Sequence, residues 1–141
     1  GGLIFSALLS RYGVISDLLK EKPGWIEDQE EVQSVLVSGK RPDHYPRGGF
    51  RGYLARPAEI APLHEGIGFE TLVLAGVEPV IAAEDENYSK LQGNQRERWL
   101  NLLYTISTEP SILGGSRHIL YVGRKRKEIY IPQDKAEEAK H

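Results

Sequence analysis

The sequence predicts an α/β domain, and three observations carry that expectation. An uncharged apolar run of strand length, LIFSALL, spans Leu3–Leu9. Apolar residues then recur at helical spacing, from Val14 onward. Two further strand-like segments, Phe69–Val77 and Arg117–Gly123, alternate with helical stretches to the end of the patterned region. The order is therefore strand, helices, loop, helix, strand, helix, strand.

Leu3–Leu9 contains no proline and no charge, the pattern of a strand buried on both faces of a parallel sheet. It ends at Ser10-Arg11-Tyr12-Gly13. Val14, Ile15, Leu18 and Leu19 share a helical face up to Lys22, and Pro23-Gly24 is expected to stop that helix. A second helix is expected from about Ile26 to Ser38. Its first turn holds Glu27, Asp28, Glu30 and Glu31, where acids favour the helix dipole, and Gly39 suits the position just past its end. Lys40–Gly52, KRPDHYPRGGFRG, has two prolines, three glycines and no periodicity, so it reads as a long loop of the kind that carries function. Pro57 suits a first helical position with Glu59 in the first turn. Ile60, Leu63, His64 and Ile67 share a face, and Pro62 should shorten or kink the helix.

Gly66-Ile67-Gly68 closes that helix, and Phe69–Val77 (FETLVLAGV) follows as a strand. A long helix is expected from about Asp85 to Ser107. Tyr88, Leu91, Gln95, Trp99, Leu102, Leu103 and Ile106 line a stripe expected to be core, and Gly93 is a weak point. Pro110–Gly115 reads as loop, and RHILYVG, Arg117–Gly123, as the last strand. Residues 126–141 form a charged tail.

The bulk composition excludes several function classes. The 141 residues suffice for one domain with a core. Apolar residues make up 40% and charged residues 27%, and the formal net charge is -2, so no global field points to nucleic acid or membrane. PRGGFRG and the basic GRKRK of Gly123–Lys127 are too little against that balance to indicate nucleic acid. There is no cysteine, and the four histidines are scattered without close helical spacing, so no metal site is expected. No apolar stretch approaches the ~20 residues of a membrane span, and a cytoplasmic protein is the default expectation. Methionine is absent even at position 1. Together with an opening strand that needs covering on both sides, this predicts a piece of a longer chain.

Three segments taken in order, GGLIFSALLSRYG, RPAEIAPLHEGIGFETLVLAGVE and RHILYVGRK, give a more specific expectation. Their order and spacing resemble the C-terminal half of a class I, Rossmann-like S-adenosylmethionine-dependent methyltransferase. The resemblance covers residues 1–125. It implies that Leu3–Leu9 is the fifth strand of that sheet, after a Gly-Gly turn. The junction Gly68-Phe69-Glu70 opens the sixth strand, and His118–Val122 is the seventh, inserted antiparallel between the other two. It also implies a substrate-side segment at residues 11–56.

Ligands in open α/β sheets sit at the carboxyl ends of the strands, where Ser10, Arg11 and Tyr12 leave the first strand. With Tyr45, Phe50 and Tyr53 they are the candidate substrate-binding residues. His44 is the candidate catalytic base, because imidazole titrates near neutrality. The family binds its cofactor on a glycine-rich loop after the first strand and an acid ending the second. None of Gly48-Gly49, Gly66-Ile67-Gly68 or Gly114-Gly115 sits in a strand–loop–helix order. The parent enzyme is thus expected to use S-adenosylmethionine and a methyl acceptor of unknown type, a small molecule or otherwise. This chain alone is expected to bind no cofactor and to be inactive. The alternative is a non-enzymatic α/β interaction module using its exposed sheet edge. Either way, Leu3–Leu9 is expected to meet the missing N-terminal half or to drive self-association.

Overall fold

The structure is a computed structural model that describes residues 1–45, 52–78 and 85–127. Among the described residues the architecture is mixed α/β, with three strands and six α-helices. The strands are β1 (Leu3–Leu9), β2 (Phe69–Val77) and β3 (His118–Lys125). The helices are α1 (Val14–Glu21), α2 (Gln29–Ser38), α3 (Pro57–Glu65), α4 (Asp85–Lys90), α5 (Gly93–Ile106) and α6 (Pro110–Leu113). The sheet order is β1-β3-β2, and β3 runs antiparallel to both neighbours. β1 and β2 therefore point the same way, with the last strand between them.

Register sorts the side chains into two faces. Ser6 lies opposite Tyr121 and Leu8 opposite Ile119, while Leu74 lies opposite Tyr121 from the other side. This face is covered by α3: Ile60, Ile119 and Tyr121 are fully buried with Ala55, and Ile4, Leu8 and Leu74 pack around them. His64 of α3 stacks on Tyr121, with ring centroids 3.8 Å apart and planes 16° from parallel. Its Nδ1 lies 2.8 Å from the Ile60 carbonyl and its Nε2 lies 3.1 Å from the Ser6 hydroxyl. A carbonyl only accepts, so Nδ1 carries the proton and Nε2 accepts from Ser6.

The opposite face carries Leu3, Phe5 and Ala7 from β1, beside Leu120 and Val122 of β3 and Val73 and Ala75 of β2. Leu3 is 55% exposed and Phe5 66%. The expectation that Leu3–Leu9 is buried on both faces thus fails: within the described residues a helix covers one face of β1 only. β1 is paired with β3 along one edge, and its other edge has no strand partner among the described residues.

Helix boundaries follow local chemistry more closely than periodicity suggested. The second helix does not begin at Ile26. Pro23–Glu27 forms a tight 3-10 turn, and α2 starts at Gln29 because Asp28 is its cap, accepting from the Glu31 N–H at 3.0 Å. Pro62 sits inside α3 without ending it. The expected helix over 85–107 is two helices separated by Leu91 and Gln92, and the second starts at Gly93, whose φ of 53° lies in the left-handed region. Its stripe is not core: only Leu103 is buried, while Trp99 and Leu102 are exposed. The segment expected as loop before β3 contains α6, capped by Glu109. No helix among the described residues is long and apolar enough to cross a membrane.

Candidate functional site

Arg11 organises the carboxyl end of β1. It is 1% exposed, and a guanidinium out of water needs every donor satisfied. Nε donates to the Leu54 carbonyl at 3.0 Å. Nη1 faces the Leu36 and Val37 carbonyls at 3.4 and 3.3 Å, which lie in the last turn of α2 where carbonyls lack helical partners. Nη2 reaches the Tyr53 hydroxyl at 3.3 Å and Glu59 Oε2 at 3.2 Å. One side chain thus joins β1, the end of α2, the 52–56 stretch and the start of α3. Gly39 makes the approach possible. Its φ is 74°, and a Cβ there would collide with the Leu54 carbonyl oxygen and lie 2.6 Å from Arg11 Nη2. The Leu54 N–H returns to the Gly39 carbonyl at 2.9 Å, and the Ala55 N–H to that of Leu9 at 2.9 Å.

Glu59 closes the cluster. It accepts from the Tyr53 hydroxyl, from the Arg56 N–H at 3.0 Å and from Arg56 Nε at 2.7 Å. Burial alone would raise its pKa. The Tyr53 hydroxyl, the Arg56 backbone and guanidinium, and Arg11 outweigh it and hold the carboxyl at about 2, against an ordinary 4.5. The same hydrogen bond to Glu59 raises the Tyr53 phenol.

Ser10 is also buried. Its hydroxyl donates to the Gly114 carbonyl at 3.0 Å and accepts from the Gly13 N–H at 3.3 Å, so it locks the turn that leaves β1. Tyr12 is exposed beside Arg56.

Two depressions open beside this cluster. The smaller, about 300 Å³, is lined by Lys40, Arg41, Pro42, Asp43, Tyr45 and Tyr53 together with Gly52. Two predicted substrate residues, Tyr45 and Tyr53, therefore line the same depression. The Tyr45 hydroxyl donates to Asp28 Oδ1 at 2.6 Å, which pushes the phenol up to about 12 and lowers Asp28. Both phenols stay protonated at neutral pH and spend that proton on Asp28 and Glu59, so neither abstracts a proton and each has only its oxygen to offer the depression. His44 lines neither depression. It is 65% exposed, stands 3.1 Å from Glu30 Oε1, and meets Tyr45 edge-on at 5.1 Å. Phe50 lies outside the described residues.

The larger depression, about 720 Å³, lies between α1 and α2 and reaches Leu9 and Leu54. Sequence reasoning passed over Trp25, which forms part of its wall, and the Glu31–Arg41 ion pair at 2.6 Å on its margin. It also passed over Arg117, whose Nη2 donates to Asp17 Oδ1 at 2.9 Å and ties α1 to the start of β3. The spacing of Asp28 before Glu31 was the one local signal available, as a helix cap. The other pairs join residues far apart in the chain. Among the described residues no group of three His, Cys, Asp or Glu is placed to hold a metal ion. Comparison with family models and with curated proteins gives no match.

Glu59 is ionised more readily in the folded chain than in the unfolded one. Its contribution to stability is therefore complete above about pH 4.5 and is lost as the pH falls toward about 2. Urea denaturation across that range should show Glu59→Gln less stable than the native chain at pH 7, with the difference shrinking as the pH falls from 4.5 toward 2. A difference that stays constant with pH would show that the carboxylate charge is not what the cluster uses.

Proposed function

We propose that the chain is the C-terminal portion of an S-adenosylmethionine-dependent methyltransferase of the class I, Rossmann-like type, supplying three sheet strands and the acceptor-binding segment. The observation that carries this reading is the strand order β1-β3-β2, with the last strand antiparallel between two strands that run the same way. The depressions support it further, because Leu9, at the carboxyl end of β1, lines one of them and Arg41 and Gly52 line both. In this reading residues 1–125 belong to the methyltransferase domain and residues 11–56 hold the acceptor. A cytoplasmic setting goes with it, since the sequence has no cysteine for a disulfide framework.

The residue roles divide by burial. Tyr45 and Tyr53 line the smaller depression; with their protons given to Asp28 and Glu59, they act by offering hydroxyl oxygens that accept a hydrogen bond from the acceptor. Ser10 and Arg11 face the chain's own acceptors, so their part is to position the segment. Tyr12 is an exposed edge residue of the acceptor site. His44 stays the candidate base of this reading, but it stands outside both depressions beside Glu30, so it would serve only an acceptor that extends past them. S-adenosylmethionine itself binds on elements outside this chain. Methyl transfer from a sulfonium depends largely on holding the nucleophile in line, a task suited to a rigid segment.

Two observations test this reading. The coding sequence upstream of Gly1 should encode a strand followed by a Gly-x-Gly loop and a helix; an unrelated sequence there would overturn the assignment. Calorimetric titration of the 141-residue chain with S-adenosylmethionine should give no binding heat. A micromolar dissociation constant would place the cofactor site within this chain and contradict the division of labour.

A non-enzymatic interaction module is the second reading, favoured by the exposure of Leu3 and Phe5 and by the outer edge of β1, which among the described residues meets no strand and is bridged only at its end by Ala55. Flat, apolar edges recruit further chains. Sedimentation velocity across a concentration range should show the isolated chain self-associating, and Phe5→Lys should shift it toward monomer. A native chain that stays monomeric at high concentration would remove the edge as an interaction surface.

A further inference from the structure

The depression between α1 and α2 has the properties of a binding site for one class of ligand. At about 720 Å³ it falls within the range of small-molecule pockets, about 300–1,000 Å³. Leu9, Val14, Leu18, Trp25, Val35 and Leu54 form its apolar wall. The backbone around it is fixed from several sides. Val35 and Trp25 belong to the buried cluster that also holds Val32. Leu54 is held by Arg11 through its carbonyl and by Gly39 through its N–H. The wall is thus organised before any ligand arrives.

The charges around the wall decide the ligand's character. Five charged residues line the depression: Asp17, Glu21 and Glu31 against Lys22 and Arg41. Asp17 is paired with Arg117 at 2.9 Å and Glu31 with Arg41 at 2.6 Å. Glu21 and Lys22, one of each sign, are both exposed to water. No surplus of either sign faces the space, so an ionic ligand would leave water without a countercharge. An uncharged ring system can lie against Trp25 and the aliphatic wall, and a single hydroxyl or amine on it can address the Glu31–Arg41 pair.

We propose that this depression binds a neutral, ring-bearing small molecule with one polar substituent. In the methyltransferase reading this ligand lies beside the acceptor contacts of Tyr45 and Tyr53, and its place in the reaction rests on that reading; the binding itself does not. The two fail separately, because cofactor titration and upstream sequence test the first, whereas a ligand probe tests the second.

The probe is N-phenyl-1-naphthylamine, which is neutral, carries fused and single rings, and has one N–H. The sequence has two tryptophans, so Trp99→Phe leaves Trp25 as the sole tryptophan, excited selectively at the red edge where tyrosine does not absorb. Titration of that full-length variant should quench Trp25 saturably, with a single site. Leu18→Glu, which places a charge on the wall, and Val14→Phe, which fills the space, should each weaken binding about tenfold or more. Phe5→Ser, on the bare sheet face, should leave it unchanged. The anionic relative 8-anilino-1-naphthalenesulfonate should bind more weakly than the neutral probe. Circular dichroism identifies any variant that fails to fold, and the remaining groove variant then decides. Absence of saturable quenching, loss of binding in Phe5→Ser with retention in the folded groove variants, or preference for the anionic probe would each overturn the proposal.

Discussion

A guanidinium with 1% exposure sets the terms for everything at the carboxyl end of β1. Arg11 cannot shed its charge, and an unpaired buried charge of this kind costs several kcal/mol. Its surroundings must therefore supply acceptors in the plane and at the angles of the fork. They come from four places: the last-turn carbonyls of α2, the Leu54 carbonyl, the Tyr53 hydroxyl and the Glu59 carboxylate. The first sits at the negative end of one helix dipole, and the last sits in the first turn of another helix, where a carboxylate is favoured. Arg11 thus bridges two helix ends that complement its charge and its partner's. A lysine could offer the charge but not the fork.

This arrangement couples the sheet to the depressions beside it. Leu54 is at once a hydrogen-bond acceptor for Arg11, a member of the Trp25 cluster and a wall residue of the larger depression. Tyr53, one residue earlier, lines the smaller one. The two faces of the chain are correspondingly unequal. The α3 face has interlocked, fully buried Ile119 and Tyr121, while the face bearing Phe5 is left to solvent. Rigidity is concentrated around the Arg11 junction, and the apolar surface available for association lies on the far side of the sheet.

All three strands were legible in the sequence because each is a compact run of apolar, β-branched or aromatic residues bounded by glycine or a turn. Gly93 was legible as a weak point of one long helix, but the interruption at Leu91 and Gln92 was not. The burial of α5 was not: periodicity marks which residues share a face, and only packing decides whether that face is covered, so Trp99 and Leu102 remained exposed. In the candidate site, Tyr53 was singled out as an aromatic residue of the 11–56 segment, just after the loop. The role of Glu59 did not. In sequence it is an acid in a helix's first turn, and its partner Arg11 lies 48 residues away. The same holds for Arg117 and Asp17, 100 residues apart. Pairs of this separation leave no periodic trace, and Trp25, between a proline and an acidic stretch, looks like any residue of a turn.

The central claim is that Arg11 acts through the geometry of its fork to hold the 52–56 stretch on the end of β1. Amide hydrogen exchange of Arg11→Lys against the native chain tests it most directly, because charge is kept and the fork is removed. The amides of Leu54 and Ala55 should lose protection by about tenfold or more, while those of the β1–β3 ladder keep theirs, as local opening requires. Unchanged protection at Leu54 and Ala55, or an equal loss throughout the sheet, would contradict the account.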